Sequence, residues 1–438
     1  MDVVNIITMG CSKNLVDSER LLRMFEDCGY TVRHNPQSVD EGIVIINTCG
    51  FIGDAKAESI DMILECARAK SEGSIQKIFV MGCLSERYRS ELPAELPEVD
   101  GWYGKFDWHR IISDLGRSPK SKPWERTLTT PPHSAYVKIS EGCNRHCAFC
   151  AIPIITGPYK SRPIDEILEE TEALVARGVK ELNILAQDLS FYGKDLYGRH
   201  ALAELIDRMA AIDGVKWIRL HYAYPTDFPY DVLPVMARHA NVCKYLDIAL
   251  QHISDSQLQR MHRHICAEET RALLARIRHE VPGICLRTTL MVGYPGETQD
   301  DFNQLTAFVK EQEFGRLGVF KYCEEDGTPA AKLYKDDVPE EVKEERLNAI
   351  LEMQEKISEK ANKALLGKEI TVIIDCFDND MGAFQARSEA DSPDVDQIIE
   401  LYPEDQPKGI EIVPGNFYAV KITDVLPYEM VGEVLRPA

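Results

Sequence analysis

The sequence lacks any long apolar run, and it is short of positive charge. No stretch approaches the roughly 18 consecutive apolar residues of a membrane-spanning helix, and the opening residues have neither the basic region nor the cleavage site of a signal peptide. Lys and Arg number 50 against 71 Asp and Glu, giving a formal net charge of -21. That charge repels phosphate backbones at long range and favours a basic macromolecular partner. We therefore expect a cytoplasmic protein that is not attached to a membrane.

Length and composition indicate a folded protein of several domains. The chain has 438 residues, of which 44% are hydrophobic and 28% are charged, close to globular averages. At roughly 150 residues per domain this predicts about three domains. Thirteen cysteines, an odd number in a long chain of cytosolic character, argue against a disulfide framework. Metal or redox chemistry is therefore favoured.

The first part of the chain alternates apolar runs with helical stretches. VNIITM, GIVIIN and KIFVMG are each followed by a segment of helical length. Buried runs separated by helices are typical of a parallel sheet with crossover helices. We predict an open parallel α/β domain over residues 1–118. Residues 117–134 carry four prolines and no apolar periodicity, which indicates a linker.

A second series of strands and helices follows the linker. AYVKIS, ELNILA, VKWIRL, KYLDIAL, ICLRTTLM and RLGVF each precede a helix-length segment. Six such units are too few for a closed eight-fold barrel, so we predict a partial TIM-type (βα)6 barrel over 133–366, ending in a long amphipathic helix. Its site should lie at the carboxyl ends of the strands.

The last segment, 367–438, has β-branched, alternating runs separated by turn residues. This pattern predicts a small antiparallel β-barrel. Residues 368–438 hold 5 Lys or Arg and 15 Asp or Glu, a net of -10. Such a barrel is a poor clamp for RNA, and its acidic face is either a solvated surface or a surface that docks a basic partner.

Three cysteines lie close together in EGCNRHCAFC, in the loop after the first barrel strand. Cys143, Cys147 and Cys150 form a C-x3-C-x2-C run. A 4Fe-4S cluster normally takes four thiolates, so a compact triplet leaves one iron open to a substrate or cofactor. The alternative is a structural zinc site that recruits His146 or a distant cysteine, but zinc sites usually contain two C-x2-C pairs.

Three other cysteines each follow a predicted strand of the first domain. Cys11, Cys49 and Cys83 lie 38 and 34 residues apart, and each stands just past an apolar run. The carboxyl ends of parallel strands open on one edge of a sheet, so the three thiols should converge as ligands of a second cluster. The alternative is three buried apolar cysteines, which would more often lie within strands or on helix faces.

Two further loops follow predicted barrel strands and face the expected site. LMVGYPGETQDDF contains Gly293 and Glu297, and LAQDLSFYG contains Gln187 and Asp188. We expect these loops to contribute to cofactor or substrate binding. For Glu297 the alternative is a plain turn from strand to helix that is capped by an acidic residue.

Together these motifs resemble the methylthiotransferases of the radical S-adenosylmethionine class. The triplet, with Phe149 before its third cysteine, matches the signature of that class. The two triads, the partial barrel and a terminal β-barrel of the TRAM type match the family over essentially the whole chain. MGCSKNLVDSE, NTCGFI, MGCL and KISEGCN are similar to the branch that modifies a ribosomal protein, whereas the tRNA branch reads closer to GCQMN and NTCSIR.

The resemblance implies two 4Fe-4S clusters and S-adenosylmethionine as cofactors. S-adenosylmethionine would chelate the open iron of the cluster on Cys143, Cys147 and Cys150, with Phe149, Gly293, Glu297 and Gln187 nearby. Its reductive cleavage would give a 5'-deoxyadenosyl radical, which removes hydrogen from the β-carbon of an aspartate in small-subunit ribosomal protein twelve. A methylated sulfur on the cluster of Cys11, Cys49 and Cys83, with its methyl group supplied by a second S-adenosylmethionine, would then be transferred to that carbon. Radical chemistry is needed because no side-chain base deprotonates such a carbon.

The resemblance also implies partners. They are the ribosomal protein, or the subunit that carries it, and an electron donor such as a flavodoxin or ferredoxin. We expect a monomer. At one position the chain departs from the family, because Thr156-Gly157 stands where many members read Arg-Gly. Lys160 and Arg162 are the candidates to supply the contact that this Arg makes in other members.

Two other functions compete with this one. The same chemistry could act on isopentenyl-adenosine beside the tRNA anticodon, although the acidic final barrel speaks against it. A protein of another class, a non-catalytic iron-sulfur or zinc factor in ribosome assembly, is the third possibility. Cleavage of S-adenosylmethionine under reduction would separate it from the two enzymes.

Overall fold

The structure, a computed structural model, describes residues 3–39, 41–407 and 409–438. Its backbone divides into two compact units. The first comprises the chain up to Thr129, Tyr136–Glu170 and Cys323–Lys332. The second comprises Thr130–Ala135, Thr171–Tyr322 and Leu333–Ala438.

The first unit begins with five strands and five helices. They are, in chain order, β1 (Val3–Thr8), α1 (Ser12–Asp27), β2 (Thr31–His34), β3 (Ile43–Thr48), α2 (Gly53–Ser71), β4 (Lys77–Gly82), α3 (Cys83–Arg87), α4 (Leu92–Glu95), β5 (Gly101–Trp102) and α5 (Trp108–Asp114). The strands form one parallel sheet in the order β2-β1-β3-β4-β5.

Continuous apolar strands explain why this sheet is covered on both faces. On one face Ile6 and Ile45 pack with Phe25 of α1, and on the other Ile46 packs with Ile63 of α2. Strands buried on both sides read as unbroken apolar runs, as β1, β3 and β4 do. The predicted parallel α/β domain is confirmed.

The two edge strands of the sheet were not predicted. β2 alternates exposed and half-buried residues and contains an arginine and a histidine, and β5 is only two residues long. Neither offers an apolar run that periodicity could detect. Each adds a strand at one edge, so the three strands that precede Cys11, Cys49 and Cys83 lie at the centre of the sheet.

A second series of elements follows the linker. In chain order they are β6 (Ser134–Lys138), β7 (Ser140–Glu141), α6 (Ile152–Thr156), β8 (Lys160–Ser161), α7 (Ile164–Ala176), β9 (Glu181–Leu185), α8 (Lys194–Tyr197), α9 (Leu202–Ala210), β10 (Trp217–Ala223), α10 (Val232–Arg238), β11 (Val242–Ile248), α11 (Asp255–Arg260), α12 (Ala267–Glu280), β12 (Cys285–Val292), α13 (Gln299–Gln312), β13 (Arg316–Lys321), α14 (Pro329–Leu333) and α15 (Glu340–Lys363).

Six of these strands form an open sheet. Its order is β13-β12-β11-β10-β9-β6, and the pairs from β9 to β13 are parallel. A sheet of six strands that follow one another in sequence order, each succeeded by a helix, is the partial barrel that the sequence predicts. The long amphipathic helix predicted after the last strand is α15.

The last 70 residues or so form a closed five-stranded barrel. Its strands are β14 (Glu369–Asp378), β15 (Ala383–Ser388), β16 (Ile398–Leu401), β17 (Phe417–Val425) and β18 (Glu429–Pro437). All five occupy apolar runs in which the sequence predicts strands. The prediction of an antiparallel barrel is wrong in one pair, because β16 and β18 run parallel. Parallel pairing here closes the barrel in the order β14-β15-β16-β18-β17.

The barrel is tied to the second unit's sheet by buried ion pairs. The carboxylate of Glu181, at the start of β9, accepts from both terminal nitrogens of Arg387 in β15, at 2.9 and 2.7 Å, and from Arg219 of β10 at 3.1 Å. All three side chains are buried. Among the residues that the structure describes, no helix is both long and apolar enough to cross a membrane.

Candidate active site

Three cysteines lie at the carboxyl edge of the N-terminal sheet. Cys11 follows β1 and stands at the N-cap of α1, Cys49 follows β3 directly, and Cys83 follows β4 as the first residue of α3. Cys11 is exposed, and the other two are buried. The structure therefore brings to one edge the three residues that the sequence predicts to converge.

Glycines beside these cysteines allow their loops to approach at backbone distance. A Cβ on Gly10 would lie 2.8 Å from the sulfur of Cys49, and a Cβ on Gly50 would lie 2.6 Å from the Cα of Leu84, next to Cys83. Real Cβ atoms do not make contacts this short. The loop of Cys11 thus packs on Cys49, and the loop of Cys49 packs on that of Cys83.

The three thiols differ in how readily they ionise. At Cys11 desolvation opposes ionisation, but Lys13, Lys105 and the N-H groups that begin α1 outweigh it, and the pKa of the thiol is lowered. Burial raises the pKa of Cys49 to about 11 and raises that of Cys83 as well. A metal that binds here must displace protons from the two buried thiols, so its affinity should rise with pH.

A buried polar network supports this edge, and sequence reasoning missed it. The side-chain amide of Asn14 donates to the carbonyls of Met9 and Thr48, at 3.0 and 3.1 Å. Met9 lies two residues before Cys11, and Thr48 is the last residue of β3, directly before Cys49. Its oxygen accepts from Lys105 at 3.0 Å and lies 3.6 Å from the sulfur of Cys83. Asn14 therefore holds all three loops. Its place in the NLVDSE stretch after Cys11 was the only signal in the sequence.

The second triad lies in the loop between β7 and α6, in the same unit. Cys147 is buried, whereas Cys143 and Cys150 are half-buried. The backbone N-H of Arg145 points at the sulfur of Cys143 at 3.5 Å, and the N-H of Cys150 donates to the carbonyl of Cys147 at 3.1 Å. N-H groups aimed at sulfur stabilise thiolates and are one of the means by which proteins tune iron-sulfur clusters.

The two triads approach each other within the first unit. Cys83 forms a buried apolar cluster with Ala151 and Ile155, and Ala151 directly follows Cys150. Helix α3, which Cys83 begins, packs against α6, which follows the second triad. Spacing in the sequence gives no sign of this contact, because it joins residues almost 70 positions apart.

The segment Cys323–Lys332 binds to the loops of both triads. Glu325 accepts from Arg87 at 2.6 Å and from Lys56 at 2.9 Å, and Arg87 also donates to the carbonyl of Gly50 at 2.9 Å. The N-H of Ala330 donates to the carbonyl of Ala148, between Cys147 and Cys150, at 2.7 Å. We call residues 323–332 the clasp. Sequence reasoning did not single it out.

One of the two candidates for the contact expected near Thr156 already has partners. Arg162 donates to Glu166 at 2.9 Å and to Glu170 at 2.7 Å, and it also binds the carbonyl of Lys138. Lys160 is exposed in β8. The hydroxyl of Thr156 itself donates to the carbonyl of Ile152 in its own helix.

The loops at the strand ends of the second unit have structural contacts of their own. Glu297 is buried, and its carboxylate accepts from the N-H of Gly293, from Arg346 of α15 at 2.6 Å and from His252 at 3.1 Å. A Cβ on Gly293 would lie 2.3 Å from the side chain of Lys343. Packing within the unit accounts for both residues, so a role in cofactor binding stays a prediction for each.

Gln187 and Phe149 are two more predicted contributors. Gln187 lies half-buried just beyond β9, and Asp188 beside it accepts from the N-H of Ser190 at 2.8 Å. Phe149 is half-buried between Cys147 and Cys150. Their assignment to S-adenosylmethionine also stays a prediction.

Three family models match the chain in succession. The Uncharacterized protein family UPF0004 matches residues 3–104, the Radical SAM superfamily matches 137–309, and the TRAM domain matches 366–435. The first range contains the N-terminal cysteines and the second contains the C-x3-C-x2-C loop. The order of the three agrees with the three folds described above.

Curated relatives are similar over the whole length. The chain is 55% identical to the ribosomal protein uS12 methylthiotransferase RimO of Parabacteroides distasonis, over 99% of both chains. It is 53% identical to the same protein of Porphyromonas gingivalis, again over 99% of both, and 47% identical to that of Flavobacterium johnsoniae, over 98% of this chain and 97% of the relative. The chain belongs to the RimO family. It is therefore a radical S-adenosylmethionine methylthiotransferase.

Solved structures agree with the fold of this RimO family member. The radical S-adenosylmethionine methyltransferase TsrM from Kitasatospora setae is similar with a TM-score of 0.54 at 16% identity, over 76% of this chain and 75% of its own. The cobalamin-dependent S-adenosylmethionine radical enzyme OxsB is similar with a TM-score of 0.52 at 12% identity, over 80% and 56%. These likenesses show the fold alone.

The residues present fit the 4Fe-4S cluster that membership of the RimO family implies. Radical SAM chemistry needs three thiolates that leave one iron open, and the loop after β7 supplies three cysteines in eight residues with an N-H aimed at one sulfur. In the described ranges no three Cys, His, Asp or Glu side chains stand at the spacing of ligands to a single metal ion. A cube binds each thiolate to a different iron, so its ligands stand farther apart than that.

Proposed function

We propose that the chain transfers a methylthio group to the β-carbon of an aspartate in ribosomal protein uS12. The observation that carries the proposal is the contact of Cys83 with Ala151, which brings one thiol triad beside the other in a single unit. Two clusters held side by side suit a reaction in which a radical made at one must meet sulfur carried by the other. The full-length similarity to uS12 methylthiotransferases supports the substrate.

In this proposal each triad holds one 4Fe-4S cluster. Cys143, Cys147 and Cys150 bind the cluster that S-adenosylmethionine chelates, and that cluster supplies the reductive cleavage of the cofactor when it is bound. The N-H of Arg145 stabilises the Cys143 thiolate. Cys11, Cys49 and Cys83 bind the cluster that carries sulfur, and Lys105 favours the ionised form of their thiols.

The protein residues around the triads exclude water and fix distances. Ile155 and Ala151 form a buried apolar cluster with Cys83 where α3 meets α6. The clasp binds the loop of Cys49 through Arg87 and the loop of Cys147 through Ala330. A reactive radical needs such exclusion of solvent, because water and loose side chains would otherwise quench it. Phe149, Gln187, Gly293 and Glu297 remain our candidates for contact with S-adenosylmethionine.

The proposal also names partners. An electron donor of the flavodoxin or ferredoxin kind supplies the reducing electron. The substrate is uS12 or the small subunit that carries it, and the acidic charge of the last domain suits a basic ribosomal protein. A reaction on a ribosomal protein also implies the cytoplasm as its compartment.

A reconstituted assay tests the proposal. The purified chain, loaded anaerobically with iron and sulfide, is incubated with S-adenosylmethionine, a reductant and either uS12 or tRNA. We expect 5'-deoxyadenosine and a methylthio mass increment on uS12, with no hypermodified adenosine in the tRNA. The matched control is Cys28→Ala, which alters a cysteine at the end of α1 outside both triads and should leave both products unchanged. Modification of the tRNA alone would show that the substrate is the adenosine beside the anticodon and not uS12. Absence of 5'-deoxyadenosine would contradict the proposed radical reaction.

A further inference from the structure

A buried lysine faces the N-terminal cysteines. Lys105 follows β5, and its side chain is only 2% exposed. Its ammonium donates to Asp17 at 2.9 Å and to the amide oxygen of Asn14 at 3.0 Å. Burying an ammonium is costly unless it is paired, so this charge is held in place by specific partners.

Asn14 connects that ammonium to the thiols. Its oxygen, which accepts from Lys105, is also 3.6 Å from the sulfur of Cys83. Its nitrogen binds the carbonyls of Met9 and Thr48, which precede the other two cysteines of the triad. The lysine is thereby fixed relative to all three loops. Its charge favours the ionised form of Cys11, Cys49 and Cys83 alike.

Other buried charges lie close to Lys105. Asp17 accepts from Lys105 and also from Lys138 of β6, and Lys138 in turn pairs with Glu141. Asp17, Lys105 and Lys138 are all buried. Arg20, which is also buried, acts electrostatically on Asp17 and on Glu141. Lys105, Lys138 and Arg20 therefore share one low-dielectric region with these two carboxylates, and a change of a single charge there acts strongly over several ångströms.

We propose that Lys105 is a positioning residue that raises the reduction potential of the cluster on Cys11, Cys49 and Cys83. This inference rests on the proposed function, which assigns a cluster to those thiols. A cluster gains a negative charge when it is reduced, so a fixed cation nearby stabilises the reduced form. Asp17 acts in the opposite direction, because its carboxylate offsets part of that cation's field.

The test measures the potential of this cluster alone. In the full-length chain, Cys143, Cys147 and Cys150 are replaced by Ala, which leaves only the N-terminal cluster to be reconstituted. Its midpoint potential is determined by titration monitored by electron paramagnetic resonance. We expect Lys105→Met to shift the midpoint to a more negative value and Asp17→Asn to shift it to a more positive value. Lys105→Arg keeps the charge, so its midpoint potential should stay close to that of the chain that retains Lys105.

A matched control separates the effect of the charge at Lys105 from the general effect of losing a paired lysine in this domain. Lys70 pairs with Asp100 at 2.6 Å, and Asp100 also binds the N-H of Ile78 at the start of β4. This pair lies at the opposite edge of the same sheet from Cys83, which follows the end of β4. Lys70→Met should leave the midpoint unchanged.

The opposite signs distinguish an electrostatic role from a structural one. Damage to the fold would alter the iron content or move both midpoints in the same direction. The inference would be overturned if the cluster is loaded and its midpoint potential is unchanged by Lys105→Met and Asp17→Asn, or shifts in the same direction in both. Either result would leave the proposed function standing. If the Lys105→Met chain takes up no iron, the Asp17→Asn chain decides the matter. A more positive midpoint potential in that chain supports the inference, and an unchanged midpoint potential overturns it. Failure of the starting chain to hold any cluster would instead overturn the proposed N-terminal cluster, and this inference with it.

Discussion

At the scale of the residue, the six cysteines that we propose as cluster ligands stand out in the sequence because their signal is local. Cys143, Cys147 and Cys150 are close in sequence, and Cys11, Cys49 and Cys83 each end a recognisable strand. The groups that surround these cysteines could not be predicted. Lys105 and Asn14 meet only in the folded chain, across 91 positions, and a buried lysine has no signature in sequence. Glu297 is bound by Arg346 and His252 within its own unit, and its assignment to cofactor binding stays a prediction.

The two triads should separate two steps of the reaction. Cys147→Ala removes a ligand of the cluster that binds S-adenosylmethionine, so we expect no 5'-deoxyadenosine and no modified uS12. Cys49→Ala removes a ligand of the other cluster, so cleavage of S-adenosylmethionine should persist while sulfur insertion stops. Chromatography of 5'-deoxyadenosine and mass spectrometry of uS12 measure both steps in one reaction. Equal loss of cleavage in a folded Cys49→Ala chain would contradict this division between the triads.

The buried carboxylate of Glu181 gives a second prediction at this scale. Burial opposes its ionisation, but Arg387 and Arg219 outweigh burial and lower its pKa. A lowered pKa contributes stability that is present above the unfolded-state value, about 4.3, and is lost as pH falls further. Glu181→Gln should therefore reduce the free energy of unfolding near pH 7 by about 3–5 kcal/mol, because it leaves buried arginines without their partner.

Urea unfolding at several pH values checks this prediction. The difference between the wild type and Glu181→Gln should stay constant from pH 7 to pH 5 and shrink below about pH 4, where the wild-type carboxylate begins to lose its advantage. The exposed Glu172→Gln serves as the control and should cost little. A difference that is independent of pH down to pH 3 would contradict the ionic origin of this stability.

At the scale of the element, apolar periodicity predicted the central strands and missed the edges. β1, β3 and β4 are continuous apolar runs, whereas β2 mixes polar and apolar residues. All six strands of the partial barrel could be predicted for the same reason. The parallel pairing of β16 with β18 could not, because closure of a barrel depends on which strand ends meet in space. The domain boundaries at 118, 133 and 366 stay predictions.

The clasp is the element for which the structure makes a new prediction. Glu325 is buried against Arg87 and Lys56, and Glu325→Gln leaves both cations without their anion. We expect a loss of about 3–5 kcal/mol in the free energy of unfolding. We also expect less modified uS12 for each 5'-deoxyadenosine formed, because the clasp binds the loops of both triads. Urea unfolding and the ratio of modified uS12 to 5'-deoxyadenosine measure the two effects.

The neighbouring Glu324 provides the control for the clasp. It is exposed, so Glu324→Gln should leave both the stability and the coupling ratio close to the wild type. If Glu325→Gln were as mild as Glu324→Gln, the ion pairs of the clasp would have no role in holding the two loops. An unchanged coupling ratio in a destabilised chain would limit the clasp to a purely structural role.

At the scale of the whole molecule, three folds serve one reaction. The N-terminal sheet presents one thiol triad, and the loop after β7 presents the other. The terminal barrel is anchored to the second unit's sheet by Glu181 and Arg387. The order of these folds could be predicted from periodicity, cysteine positions and family resemblance together. The contact that joins the triads could not, because it depends on packing between α3 and α6.

The most direct measurement is the intact mass of uS12 isolated from cells with and without this chain. We expect a methylthio increment on uS12 when the chain is present, and its loss when the gene is deleted or when it carries Cys147→Ala. A mass that is unchanged by deletion would contradict uS12 as the substrate.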